Sequence, residues 1–169
     1  MPLIETFTTH SLLAERLRFQ HLTELNRMHQ NQQVMATLGG VLSDEETRLF
    51  IFNNLHHWQQ YGFGLWVFRD KINHQFVGRA GLRNTNVEGS NEVELAYALM
   101  AKFWGLGLAT EMGEKILKIG FELLNLREVV CFTLTTNLAS QRVMEKLGFK
   151  YEREFIYANF PHLFYRLKA

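Results

Sequence analysis

Tyr97-Ala98-Leu99-Met100-Ala101-Lys102-Phe103-Trp104-Gly105-Leu106-Gly107-Leu108-Ala109-Thr110-Glu111 changes its periodicity part-way along. Leading into it, Val93, Leu95, Tyr97 and Leu99 alternate with Glu92, Glu94, Ala96 and Ala98, the two-residue repeat of a strand. Beyond the glycines, Leu108, Met112, Ile116, Leu117 and Ile119 recur at helical spacing. A strand, a Gly-x-Gly turn and a helix start make an anion site. The first N–H groups of a helix lack partners inside it, and its dipole places positive charge there. Glycine lets the backbone come close to a phosphate because no side chain intervenes.

Two phosphate motifs are excluded. A P-loop needs Gly-Lys-Ser/Thr after its spacer, which is absent. A dinucleotide fingerprint needs a third glycine three residues after Gly107, where Thr110 stands, and no acidic ribose partner is evident. The 169 residues, 47% hydrophobic and 21% charged, suit one globular domain spanning 1–169. A formal charge of +1 gives no electrostatic case for nucleic acid. No apolar run approaches the ~20 residues of a membrane span. Met1 to His10 lacks a basic segment followed by an apolar one, so no signal peptide is expected, and the cytoplasm is the expected location. The single cysteine, Cys131, excludes an internal disulfide and reads as a small buried hydrophobe. His56 and His57 are adjacent and point apart on a helix, and no other His/Cys spacing suggests zinc, so no metal is expected.

Along the chain, residues 1–15 read as a lead-in and Arg16–Phe19 as the first strand. Leu22–His29 reads as a helix with Thr23 as its cap. After Gly39-Gly40, Ser43-Asp44-Glu45-Glu46 is a capping-box start for a helix to about Tyr61. Gly62–Phe68 and Gln75–Leu82 read as strands joined by a polar turn. Gly78 and Gly81 in the second mark a bulge or a close backbone approach. Glu88-Gly89-Ser90 is the next turn. The helix after the glycine loop runs to about Leu124. Val129–Phe132 is a buried parallel strand, which completes a βαβ unit with the anion site at its first turn. Asn137–Phe149 is a helix closed by Gly148, with Lys146 in its last turn. Tyr151–Ile156 and Leu163–Leu167 are the closing strands.

Trp104–Glu111 resembles the pyrophosphate loop of the GNAT superfamily of N-acetyltransferases, usually Arg/Gln-x-x-Gly-x-Gly/Ala. Gly107 and Ala109 fill its small positions, and Trp104 stands where Arg or Gln is usual. Asn137 to Ser140, followed by Lys146-Leu147-Gly148-Phe149, resembles the superfamily's second diagnostic segment, Asn-x-x-Ser/Ala then Lys-x-Gly-Phe. Val77–Leu82 resembles its Gly-x-x-Gly-Leu strand. Ala14–Arg18 and the Trp-Gly-x-Gly-x-Ala-Thr-Glu run resemble the ribosomal-protein N-terminal (Rim-type) branch. The resemblance covers most of the chain and is strongest from 92 to 150.

The resemblance implies an α/β (α+β) GNAT fold. That is a single mixed, mostly antiparallel sheet of about six or seven strands, helices on both faces and a splayed pair of parallel strands. It implies acetyl transfer from acetyl-coenzyme A to a primary amine by direct attack in a ternary complex. The branch points to a protein N-terminal amine as acceptor. A small amine (amino acid, polyamine or amino sugar) and a non-catalytic acyl-coenzyme A module are the alternatives. A monomer or a homodimer fits equally. Leu99 and Ala101 would offer backbone contacts to pantetheine, with the Leu99 N–H as an oxyanion donor. Backbone N–H groups of Trp104, Gly105, Leu106, Gly107, Leu108, Ala109 and Thr110 would hold the pyrophosphate. Glu94 is the candidate base, acting through water, with Glu92 in reserve. Many family members carry a tyrosine acid where this chain has Met144, so Ser140 becomes the candidate for stabilising the departing thiolate. Asn137 would bind the pantetheine amide or cap its helix. Met35, Leu38, Phe50 and Trp58 lie in the helical region that borders the acceptor pocket in the family, where a plain core role competes for each.

Overall fold

Eight strands form one sheet in the order β1-β2-β3-β4-β5-β6-β8-β7. The computed structural model describes residues 3–169; Met1 and Pro2, the start of the expected lead-in, lie outside the described residues. The strands are β1 Thr6–Thr8, β2 Leu12–Arg16, β3 Leu65–Asp70, β4 Phe76–Val87, β5 Ser90–Leu99, β6 Glu128–Leu134, β7 Lys150–Tyr157 and β8 Phe160–Lys168. The helices are α1 Leu22–His29, α2 Gln32–Met35, α3 Asp44–Tyr61, α4 Leu108–Lys118 and α5 Leu138–Lys146.

All neighbours are antiparallel except β5 and β6, which are parallel and in register only at Glu94 and Val130. This is the GNAT fold, with eight strands rather than six or seven. The extra strand is β1, which lies in the expected lead-in and pairs with β2. Leu12–Arg16 pairs with β3, and the strand expected at Arg16–Phe19 ends where it was meant to begin. Leu12 and Ala14 bury completely against β3, a non-local gain that five residues of pattern do not advertise. The α1 start is not capped by Thr23: His21 holds the N-cap position, and the Arg18 N–H donates to His21 Nδ1 (3.0 Å). Past Lys118 the expected α-helix loosens into a π turn at Ile119–Leu123.

Local chemistry sets the elements around the site. Ser43 Oγ accepts from the Glu46 N–H while Glu46 Oε1 accepts from the Ser43 N–H, both at 3.1 Å, and Gly62 closes α3 in the left-handed region. The β4–β5 hairpin turns on Glu88 and Gly89, both at positive φ, a two-residue turn matched to strand twist. That turn fixes the register, opposing Arg83 to Glu94, Arg79 to Ala98 and Gly78 to Leu99. Gly78 and Gly81 are close-approach glycines: a Cβ would fall 2.1 Å from the Ala98 carbonyl and 2.2 Å from that of Gly64.

Helices cover both faces. On one, Leu17, Leu25, Ile51, Leu65 and Val67 pack over Ala96, and Met28, Val34 and Met35 over Ala98. On the other, α4 and α5 bring Met112, Ile116, Met144 and Phe149 against Leu82, Leu95 and Leu99. Each such fully buried side chain contributes about 1.5–3 kcal/mol in transfer terms. The even residues of β5 therefore face α1–α3 and the odd ones face α4–α5.

Candidate active site

The glycine loop is held open by its backbone. Gly105 and Gly107 sit at φ +75° and +78°, and Gly107 is the N-cap of α4. A Cβ at either would meet nothing within 4 Å, so conformation and not crowding selects glycine here. Among the described residues, none of the N–H groups from Gly105 to Thr110 donates to a backbone or side-chain acceptor; the first N–H paired is that of Glu111, to Gly107 O at 3.1 Å. Glu111, an acid in the first turn, is turned away from this opening. Its carboxylate accepts from the Thr9 hydroxyl, the Ser11 N–H (2.9 Å) and Ser11 Oγ (3.0 Å), which ties α4 to the β1–β2 turn. Burial alone would raise the Glu111 pKa; those hydrogen bonds outweigh it and hold the group below the usual carboxylate value.

The splay of β5 from β6 continues the opening. Residues Glu94, Ala96, Ala98 and Met100 bond to β4, as in the 2.8 Å bond from Met100 N to Val77 O. Alternation then turns the backbone groups of Leu95, Tyr97 and Leu99 toward β6. The Leu95 carbonyl accepts from Cys131 Sγ (3.3 Å). The Leu99 carbonyl accepts from Trp104 Nε1 (2.9 Å), so the residue in the Arg/Gln position braces the end of β5 with its side chain. Ala101 begins a short 3-10 turn, and its carbonyl accepts from the Trp104 N–H (3.1 Å), so the Trp104 N–H expected at the pyrophosphate is already engaged and the open run starts at Gly105. With both carbonyls engaged, what Leu99 and Ala101 can present is N–H.

Asn137 caps α5, accepting from the Ser140 N–H at 3.2 Å. Ser140 Oγ lies 2.7 Å from the Tyr97 hydroxyl, and Tyr97 comes from β5. Met144 is fully buried. Burial drives the Tyr97 pKa up, well above its ordinary value, so the phenol stays neutral and keeps its proton as a donor. The sequence offered Tyr97 only as a core position of a strand. Its pairing with Ser140 spans 43 residues and rests on how α5 lies over the splayed pair.

Glu94 is on the opposite side of β5 and is 4% exposed. Its Oε2 accepts from Arg83 Nε and Thr85 Oγ1, both at 2.9 Å, and its Oε1 from Arg83 Nη2 at 3.3 Å. A carboxylate offers about four lone-pair directions, so these bonds leave roughly one for water or substrate. The neighbouring carboxylate raises the Arg83 pKa against the opposing effect of burial. Glu92 is engaged elsewhere, bound through both oxygens by Arg166 at 3.0 Å. Of the residues in the helical region, Met35 and Trp58 are core; Trp58 donates its indole N–H to Leu65 O (3.1 Å). Leu38 is exposed, and Phe50 lies beneath the guanidinium of Arg79, 4.5 Å from its ring centre.

Residues 11–150 match the family model described as the acetyltransferase (GNAT) domain. An uncharacterized protein of Bacillus subtilis, YkkB, is 26% identical over 164 residues, covering 94% of this chain and 95% of its own length. Among solved structures, a GnaT-family acetyltransferase from Bordetella pertussis superposes with a TM-score of 0.86 at 22% identity, over 97% of this chain and 99% of its own. Spermidine N-acetyltransferase from Vibrio cholerae, with coenzyme A and spermine, gives 0.77 at 17%, over 94% and 95%. RimL, a ribosomal L7/L12 alpha-N-protein acetyltransferase with coenzyme A, gives 0.79 at 18%, over 98% of each chain. At these identities the structures share the fold, and their acceptors differ.

Proposed function

The chain belongs to the GNAT acetyltransferase domain family, and from that premise we propose that it moves the acetyl group of acetyl-coenzyme A onto an α-amine, in the first instance a protein N-terminus. The whole chain acts as one such domain. The observation that carries this reading is that β5 bears two features. The strand splays from β6 beyond Glu94, the backbone N–H groups from Gly105 to Thr110 have no acceptor among the described residues, and a buried carboxylate lies on the other side of the same strand. The first suits a thioester, pantetheine and pyrophosphate; the second suits an amine.

The state of Glu94 favours an α-amine. Arg83 and Thr85 occupy most of its capacity, so it acts through a water. Freeing an α-amine (pKa about 8) of its proton at pH 7 costs roughly 1 kcal/mol, against roughly 4–5 kcal/mol for a lysine (about 10.4). The amine nitrogen attacks the thioester carbonyl, whose oxygen is met by the Leu99 N–H, and the carbon–sulfur bond breaks. The Tyr97 hydroxyl and Ser140 Oγ share one hydrogen bond, and with Tyr97 as its donor the serine proton is free to point at the departing thiolate. The proton lost by the amine passes through the water at Glu94 to solvent, and the thiolate is protonated from solvent.

The test is thiol release from acetyl-coenzyme A with paired peptides. A peptide with a free N-terminus and no lysine should be turned over. The N-blocked peptide with one lysine should not. Equal use of the blocked peptide would refute the α-amine reading.

A further inference from the structure

Arg79 is the charged group on the acceptor-facing side of the sheet that the reaction above does not use. It projects from β4 opposite Ala98, one residue before Leu99, and is 7% exposed. Its Nε donates to His29 Nε2 at 3.1 Å, and the Phe50 ring lies against one face of the guanidinium. His29 Nδ1 is 2.9 Å from Thr47 Oγ1, so His29 is neutral, with its proton on Nδ1. Burial depresses the His29 pKa to about 3, and the Arg79 charge adds to that effect. Among the described residues, no carboxylate is hydrogen-bonded to Arg79. Glu94 is close enough to be felt, but Arg83 already neutralises it.

The Nη groups of Arg79 have no protein acceptor among the described residues. They are also absent from the sealed, unpartnered side-chain atoms, which are Arg16 Nε, Asn26 Oδ1 and Asn54 Nδ2. That edge of the guanidinium is therefore open to a ligand. Burial lowers the Arg79 pKa to about 9, so the group is still cationic at neutral pH. A cation kept nine-tenths buried without a counter-ion is costly unless the functional complex supplies one. Arg83 makes the contrast: it lies on the same strand and face, and has its carboxylate in place.

We propose that Arg79 receives a carboxylate of the acceptor, so that the amine acetylated by this chain carries a carboxylate within a few bonds of its nitrogen. This rests on the acetyl-transfer reading and narrows its substrate class. The planar fork of Arg79 matches a carboxylate in two-point contact. A polyamine would place a second cation against it. The carboxylate is either that of a free amino acid or the acidic side chain of an N-terminal residue.

Matched acceptor pairs test this in the thiol-release assay. One arm compares free amino acids with their carboxamides; the other compares peptide amides beginning with Asp or Glu with those beginning with Asn or Gln. In one arm the carboxylate member should exceed its partner by about 10- to 100-fold in kcat/KM, the range of a charge-assisted hydrogen bond. Arg79→Met should bring that ratio toward one, and Arg79→Lys should restore part of it, with folding of both checked by circular dichroism. A purely structural Arg79 would lower all acceptors together and leave the ratio alone. Equal use of both members in both arms, a preference that survives Arg79→Met, or turnover of neutral acceptors only would overturn the inference and leave acetyl transfer standing. Absence of acetyl-coenzyme A binding in a parallel titration would overturn both.

Discussion

On the side of β5 that faces α4 and α5, the candidate site is mostly backbone; on the side that faces α1 and α3, it is charged side chains. The first is the splayed edge of β5 and the N–H groups from Gly105 to Thr110, shaped by two glycines at positive φ. The second is Glu94 with Arg83 and Thr85, and Arg79 with His29 and Phe50, in which Glu94, Arg79 and His29 are buried. A site made of backbone can bind the same cosubstrate whatever residues surround it. A site made of buried charges is particular to one chain, because each charge needs its partner. The contrast suits a reaction in which one substrate is common to a family and the other is not.

Substitutions on the two sides should therefore separate. The largest expected effect is Glu94→Gln, which removes the base and leaves the coenzyme side untouched. Turnover should fall by about 100-fold or more, while the Kd for acetyl-coenzyme A stays within about twofold. An equal fall in affinity would erase the division. Gly107→Val reverses the pattern. A β-branched residue at φ +78° costs at least about 1–2 kcal/mol of local strain, so acetyl-coenzyme A should bind roughly tenfold more weakly. The open space around that Cβ adds no clash, so the melting temperature should fall only by the few degrees that the strain itself costs. Tyr97→Phe removes the hydroxyl bonded to Ser140 and should lower kcat by about fivefold to tenfold with Kd unchanged. An unchanged kcat would make Tyr97 a packing residue.

The acceptor side should also carry an acid sensitivity that the loop lacks. His29 is neutral when folded, with its pKa depressed to about 3 from 6.5. The unfolded chain takes up the proton first, so stability is full above about pH 6.5 and declines as pH falls toward 3. The loss between pH 7 and pH 5 is about 2 kcal/mol. Protonation would also set Nε2–H against the Arg79 N–H that it now accepts. Denaturant unfolding at the two pH values measures the loss, and His29→Gln should flatten it. A wild-type curve with no difference would contradict the placement of His29.

The same contrast explains what could be read from the chain. The loop was legible because positive φ and a helix N-terminus leave a local mark, Gly105-Leu106-Gly107 followed by a helical repeat. Asn137 and Gly148 were legible at the two ends of α5 for the same reason. Glu94 was reached through a motif, but its clamp was not, because Arg83 lies across a strand pair. The signal was available: a two-residue turn at Glu88-Gly89 sets Arg83 against Glu94 and Arg79 against Ala98 by counting. Taking Ser90 into the turn hid that register. The β2 strand was missed because its stabilisation comes from β3, more than 50 residues away. Tyr97 beside Ser140 depends on helix placement, which no local pattern encodes.

The most direct test of the central claim is a calorimetric titration of the folded protein with acetyl-coenzyme A, with NAD and ATP as controls. Saturable binding at one site per chain for acetyl-coenzyme A alone is the predicted result. A folded protein that takes up no acetyl-coenzyme A would contradict it, and the N–H groups from Gly105 to Thr110 would then serve some other anion or none.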